Sequence, residues 1–381
     1  GALLALSRER RLPAAALAAL TTLASPVAGL FLALATAAWG LAALAARWRT
    51  ATAIVAAALA PIALTLVLFP QGGSEPFVAS AFWPALVAVL LIAALLAPGE
   101  RALRIGALLY ALVLVAAFVV ATPLGGNATR LGALAAGPIL LGALAGRRHP
   151  ALVATLAVAF AYWAIYPAAR DVVRASGDQS LQAAYHAPLI EFLQSRPGAF
   201  RVEIPFTENH WEARHVAPRV ALARGWERQL DRRFGALFYD GSLDARSYRA
   251  WLDKRAVAYV ALPDVALDYA GRDEARLIED GLPYLREVWR DRHWRVFAVA
   301  RPAALVQADG GATATLHPTG VTVRAARAGS VLLRVRYTRW WRVTGGRGCV
   351  HPGPDGMTRL QLPEAGTIEL RTRLTGASCR S

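Results

Sequence analysis

Apolar and polar positions divide the chain into two unequal regimes. From Leu12 to Ala169 the sequence is almost uninterrupted Ala, Leu and Val, whereas from Arg170 to Ser381 charged and apolar residues alternate as in a water-exposed domain. A helix needs about 20 consecutive apolar residues to cross a bilayer. The first regime breaks into runs near that length, at 12–24, 27–46, 51–69, 77–97, 102–121, 131–145 and 151–166. The run at 12–24 ends on Ser25-Pro26, a breaker, and reads as a re-entrant piece or part of a broken helix.

Between these runs the cations alternate. Arg8, Arg10 and Arg11, then Arg47 and Arg49, then Arg101 and Arg104, then Arg147 and Arg148 occupy every second connection. The intervening connections hold Ser25-Pro26, the QGGSEPF loop around Glu75, and the GGNATR loop with Arg130. Because Lys and Arg accumulate on the cytoplasmic side of spanning helices, this alternation predicts a multi-pass plasma-membrane protein whose chain emerges outside from Tyr166 onward.

The second regime changes period. Helical spacing marks 187–194, 245–252 and 274–280, and strand spacing marks 200–204, 257–262 and the hairpin 288–289 with 294–300. Beyond residue 303 only strand patterns remain, at 312–316, 321–325, 331–337, 341–343, 357–362 and 367–374. The expected architecture is an α-helical polytopic membrane bundle over 1–169, an extracytoplasmic α/β domain over 170–302, and a C-terminal β-sandwich over 303–381.

Composition agrees with two solvents: 56% of the residues are hydrophobic and mean hydropathy is +0.36. The net charge of +16 does not point to nucleic acid. In the first regime the arginines are topology signals, and in the second they alternate with acids, with no basic stripe interleaved with aromatics. Apart from Arg104 at the start of the 102–121 run, no charge falls inside an expected span, and no phosphate-binding glycine loop with Lys occurs, so ion pumping and nucleotide-driven transport lack residues to carry them. Lys254 is the sole lysine, a bias typical of GC-rich coding DNA. Cys349 and Cys379 are the two cysteines; outside the cytoplasm they could oxidise to a disulfide, and two free thiols is the other reading. Opening on Gly1 and running directly into apolar sequence, the chain is expected to be a piece that lacks upstream helices.

Candidate chemistry sits at two places. The stretch TPLGGNATRLG puts Asn127 and Arg130 at a membrane boundary, where glycines permit close backbone approach and the guanidinium can grip a lipid phosphate with two parallel bonds. An ordinary turn with a snorkelling Arg reads equally well. The stretch PFTENHWEARHVAPRVALARGWERQ gathers Glu208, His210, Trp211, Glu212, Arg224, Trp226 and Glu227, and indole faces next to carboxylates and Arg suit a sugar. A structural loop held by Arg–carboxylate pairs is the bland alternative. His210, Glu212 and His215 raise a metal, but on a helix the two histidines would diverge by about 140°, so no metal is assigned. Tyr248, Trp251 and Tyr259 read as core residues behind a Tyr239-Asp240-Gly241 turn, and Trp340 and Trp341 as packing residues.

At ARGWERQLD, FYDG, YRAWLD, VAYVALPD and GGNATRLG the chain resembles a group of actinobacterial multi-pass proteins of the glycosyltransferase C type, over nearly its whole length. Some members carry a label referring to 6-pyruvoyl-tetrahydropterin synthase, whose zinc-bound histidine triad is not recognisable here. The resemblance implies an inverting transfer of a sugar from a polyprenyl-phosphate donor to an envelope glycan or glycolipid acceptor at the outer membrane face. It also implies a carboxylate on the first outer loop as base or metal ligand and outer-loop Arg on the phosphate. Glu75 is the one outward carboxylate of the membrane regime; the usual acidic pair, and any divalent cation it would hold, is expected upstream of Gly1. The alternative function is a non-catalytic envelope-assembly or carbohydrate-binding membrane protein. A lipid or polysaccharide transporter would need a polar path through the helices, which the sequence does not offer.

Overall fold

The structure, a computed structural model, describes residues 1–8, 10–70, 72–144 and 150–380. The chain falls into two compact units, one of Gly1–Arg174 with Arg228–Arg233, the other of Ala175–Glu227 with Phe234–Ser381.

Unit 1 is helical: α1 (Ala2–Ser7), α2 (Arg11–Ala24), α3 (Pro26–Ala42), α4 (Leu44–Leu68), α5 (Ala79–Leu95), α6 (Arg101–Val119), α7 (Arg130–Leu144) and α8 (Pro150–Ser176), the last two residues of which belong to unit 2. The Ser25-Pro26 break separates α2 from α3. Ser25 is extended, its Oγ accepts from the Ala28 amide, and Pro26 supplies a first helical residue with no amide to satisfy. The helices α4, α6 and α8 are long and apolar enough to cross a membrane, while α2, α3 and α5 are apolar but shorter.

The surface of this unit is inside out for a water-soluble fold. Leu64, Val67, Leu112, Val119, Ile165 and Val173 are all exposed, and α8 has no buried residue. The interior mixes small residues and aromatics with a few large aliphatic ones, among them Ile54, Val89, Leu114 and Leu140. Thr22 donates to the Ala58 carbonyl at 2.6 Å, tying α2 to α4, and Phe82 stacks on Phe118 at 4.1 Å between α5 and α6.

One connection differs from expectation. Arg47 and Arg49 lie inside α4, not between helices, because the break falls earlier at Ala43, and the good helix formers Leu44, Ala45 and Ala46 carry the helix through the Arg pair. Arg47 reaches back over the Trp39 ring, 4.7 Å from its centre. Likewise Arg101 and Arg104 form the first turn of α6. Arg147, Arg148 and the end of the expected 131–145 run, Ala145, lie outside the described residues.

Unit 2 contains α9 (Ala183–Gln194), β1 (Arg201–Glu203), α10 (Trp211–His215), then, after α11 (Arg228–Phe234), α12 (Ala245–Arg255), β2 (Val257–Pro263), α13 (Tyr269–Glu279), β3 (Leu285–Arg290) and β4 (Trp294–Val299). The strands form one sheet in the order β1-β2-β4-β3, with β1 parallel to β2 and the other pairs antiparallel. Alternate residues serve opposite faces. Val260, Leu262, Phe297 and Val299 join Tyr248, Trp251 and Ile278 in one core, while Ala261 and Val296 join Leu189, Leu193 and Trp294 in another. An Asp244–Ser247 capping box starts α12.

Two further sheets follow. The first, in the order β13-β10-β11-β8-β5, uses β5 (Val306–Ala308), β8 (Gly329–Arg336), β10 (Gly348–Pro352), β11 (Met357–Leu362) and β13 (Cys379–Arg380). The second, β6-β7-β12-β9, uses β6 (Ala312–His317), β7 (Gly320–Ala325), β9 (Trp341–Gly345) and β12 (Gly366–Thr372). Leu333 and Leu360 of one share a single apolar core with Val323, Ile368 and Leu370 of the other. Cys349 faces Cys379 across the β10–β13 pair and the two are joined in a disulfide.

Candidate functional site

The residues singled out by sequence gather in two places, one in each unit. In unit 1 the loops around Glu75 and Asn127 are laced together by backbone. The Glu75 amide donates to the Thr122 carbonyl at 2.9 Å and the Gly126 amide to the Pro76 carbonyl at 3.3 Å. Gly125, at a φ of 42°, presses on the Glu75 main chain so closely that a Cβ there would overlap it. Beneath them the buried Tyr110 hydroxyl donates to the Ala128 carbonyl at 2.7 Å and accepts from the Gly132 amide at 3.0 Å, fixing both sides of Arg130.

Arg130 opens α7 and is exposed. A helix N-terminus already carries positive potential, so side chain and helix both draw an anion to this point. Residues 228–233 of α11 pack against the start of the same Glu75 loop. Gly73 lies directly against the Gln229 main chain, the Arg233 guanidinium donates to the Gly72 carbonyl at 3.1 Å, and between them on the same helix sits Asp231, buried. The loop end of unit 1 therefore holds Glu75, Asn127 and Arg130 together with a basic, acid-bearing segment from nearly a hundred residues downstream in sequence.

In unit 2 the Glu208 stretch folds into a polar cluster. His210, left-handed with a φ of 56°, turns the chain into α10. Its Nδ1 lies 3.3 Å from Glu212 Oε1, and Thr207 donates to Glu212 Oε2 at 2.5 Å. His215 leaves that pair: its Nε2 donates to the Leu181 carbonyl, and its ring stacks on His186. Buried His186 donates from Nε2 to the Ser180 carbonyl at 2.9 Å, and burial above all, then the neighbouring His215, holds its pKa below the ordinary imidazole value. Asp178 accepts from Ser180 and from Asn209 Nδ2 at 2.7 Å. Asp264 accepts from Tyr185 and lies 2.9 Å from His293 Nδ1; burial first, then that bond to Asp264, raises the Tyr185 hydroxyl well above the usual phenol. The result is a polar surface rimmed with carboxylates.

Two residues expected to bind sugar are interior instead. Glu212 is buried and bonded as above, and Arg224 is buried between Phe206 and Phe238, at 3.9 and 3.8 Å from the ring centres. Arg224 donates to Glu274 Oε2 at 3.1 Å, with Glu203 3.7 Å away and Tyr248 donating to the other Glu274 oxygen at 2.8 Å. A planar cation stacked by two rings and matched to carboxylates is a core element. Glu208, His210 and Trp211 remain half-buried in the polar cluster, Glu227 is half-buried, and Trp226 is exposed.

The chain matches no family model, no curated protein and no solved structure. Among the described residues the one group of His, Cys and acids close enough to share an ion is Cys349, His351 and Cys379, and there both thiols are spent in the disulfide.

Sequence reasoning missed Asp231, Arg233 and the Asp178–His186–Asp264 partners. The latter lie up to 86 positions apart along the chain and are joined only by folding. The ARGWERQLD motif did contain Asp231, but nothing in its pattern tells that its helix leaves one unit for the other.

Proposed function

We propose that this chain is a membrane-embedded, glycosyltransferase-like protein that moves a sugar from a polyprenyl-phosphate donor to an envelope glycan or glycolipid at the outer membrane face. The observation that carries it is the backbone lacing of the Glu75 loop to the Gly125–Arg130 segment, which sets a carboxylate and an exposed Arg on one end of an apolar helical unit. In this reading Arg130 and Asn127 hold the lipid phosphate, Glu75 acts as base toward the acceptor hydroxyl, and Asp231 is the second acid of the site. The helices of unit 1 form the bundle, the Arg-bearing starts of α2, α4 and α6 face the cytoplasm, and unit 2 lies outside with its last two sheets packed as a β-sandwich. Support for the outer placement comes from the disulfide, which oxidising compartments favour.

The test is sugar transfer from a polyprenyl-phosphate sugar by the purified chain in detergent. Glu75→Gln and Arg130→Ala should each lower turnover by about a hundredfold or more. Undiminished transfer in both variants would remove these residues from the reaction.

A second reading, a non-catalytic glycan-binding membrane protein, is favoured by Trp226, an indole 62% exposed. Binding of neutral and acidic sugars by a chain that transfers none would select it.

A further inference from the structure

Unit 2 gathers arginine around a cavity of about 530 Å³, lined by Arg201, Arg255, Arg334 and Arg336 together with the stretch 222–226 that ends in Trp226. That volume lies in the range of small-ligand sites, roughly 300–1,000 Å³. None of the described residues lining it is acidic.

The fold builds this wall deliberately. Arg334 and Arg336 are two apart on β8 and so share a face. Arg201 opens β1, and its Nη1 donates to the Arg255 and Arg334 carbonyls, both at 2.7 Å, clamping the end of α12 to β8. Arg334 is held by the Ala304 carbonyl and Gln307 Oε1. The partners of Arg201 and Arg334 are thus neutral oxygens, which orient a guanidinium without cancelling its charge. The Arg336 guanidinium carbon lies over the Phe234 ring, 3.4 Å from its centre. The crowding has an electrostatic cost: burial first, then the charges of Arg255 and Arg336, push the Arg201 guanidinium down to about 10. An entering dianion would relieve that repulsion. Arg224, which also lines the cavity, is excluded because its charge is matched to Glu274.

We propose that this cavity binds a phosphorylated sugar, with the phosphate held by Arg201, Arg334 and Arg336 and the sugar ring stacked on Trp226. Guanidinium forks match phosphate oxygens two at a time, a phosphate monoester carries enough charge to engage more than one of them, and an exposed indole offers its face to sugar C–H groups. The proposal deepens the glycan-binding reading of unit 2 and rests on it, and it requires no transfer reaction.

Titration calorimetry of the full chain in detergent, with glucose 1-phosphate, inorganic phosphate and glucose as separate probes, decides it. Glucose 1-phosphate should bind at least about tenfold more tightly than either other probe and should weaken as salt is raised. Arg336→Gln should weaken both phosphate-bearing probes by about tenfold or more, and Trp226→Ala should bring glucose 1-phosphate down to the level of inorganic phosphate while leaving the latter unchanged. Should Arg336→Gln fail to fold, Arg334→Gln with an unchanged melting temperature serves the same purpose. Glucose binding as tightly as glucose 1-phosphate would overturn the phosphate assignment while leaving the glycan reading intact. Inorganic phosphate binding as tightly as glucose 1-phosphate would overturn the sugar assignment and with it the glycan reading of this cavity, and no binding of any probe would overturn both.

Discussion

Replacing Arg224 with Met is the sharpest test of the interior of unit 2. The guanidinium lies between Phe206 and Phe238 and meets Glu274 and Glu203, whose side chains are 0% and 1% exposed. Met fills much of the same volume but leaves both carboxylates buried without their cation. Removing one partner from a buried ion pair costs about 3–5 kcal/mol. Sulfur–ring contacts would return up to about 1 kcal/mol, so the net loss should be about 3–4 kcal/mol. For a unit of this size that corresponds to a fall in melting temperature of roughly 10 °C. Urea unfolding followed by tryptophan fluorescence, with circular dichroism as a second probe, measures it. Because the cost comes from the orphaned acids, adding Glu274→Gln to the Arg224→Met chain should recover more than about 1 kcal/mol. A loss under about 1 kcal/mol, or strict additivity of the two changes, would refute the picture of a dry, charge-matched centre.

Other outcomes follow from the same geometry. His186 is held neutral by burial, so its folded pKa lies below the unfolded one. As pH falls, the unfolded chain takes the proton first, and the stability that is full above about 6.5 should decline below it. His186→Gln should flatten that acid limb in a thermal-melt series across pH, and an unchanged limb would assign it to other groups. Reducing the Cys349–Cys379 bond, which closes a separation of 30 residues, should cost about 3–4 kcal/mol, read as a lower urea midpoint in reductant. Tyr110→Phe should leave two main-chain groups of the 128–132 segment without their partner, costing about 1–3 kcal/mol and lowering transfer together with it. Gly125→Val should abolish transfer while sparing the melting of unit 2, since it displaces the Glu75 loop alone.

The sequence by itself determined the division into an apolar helical regime and a mixed regime, the helix break at Ser25-Pro26, the continuously apolar strand at 257–262, buried on both faces, and the strands at 321–325 and 357–362, whose alternation leaves one face to bury. These are local properties, set by solvent and by period. It placed Arg47 and Arg49 outside a helix because charge suggested a boundary, while the backbone broke at Ala43, where nothing in composition marks it. Short pieces such as β5 and β13 escaped notice because two or three residues carry no period, and they exist only by pairing with strands already formed. Tertiary structure alone decided which charged residues are available. Arg224 and Trp226 stand two apart in one motif, yet one is sealed between aromatic rings and the other faces water. Burial is a property of what folds over a residue, and Phe206, Phe238 and Glu274 come from three distant stretches. The same reason brings Arg201, Arg255 and Arg336 around one cavity and Asp231 beside the Glu75 loop, since such meetings depend on long-range packing that no local pattern encodes.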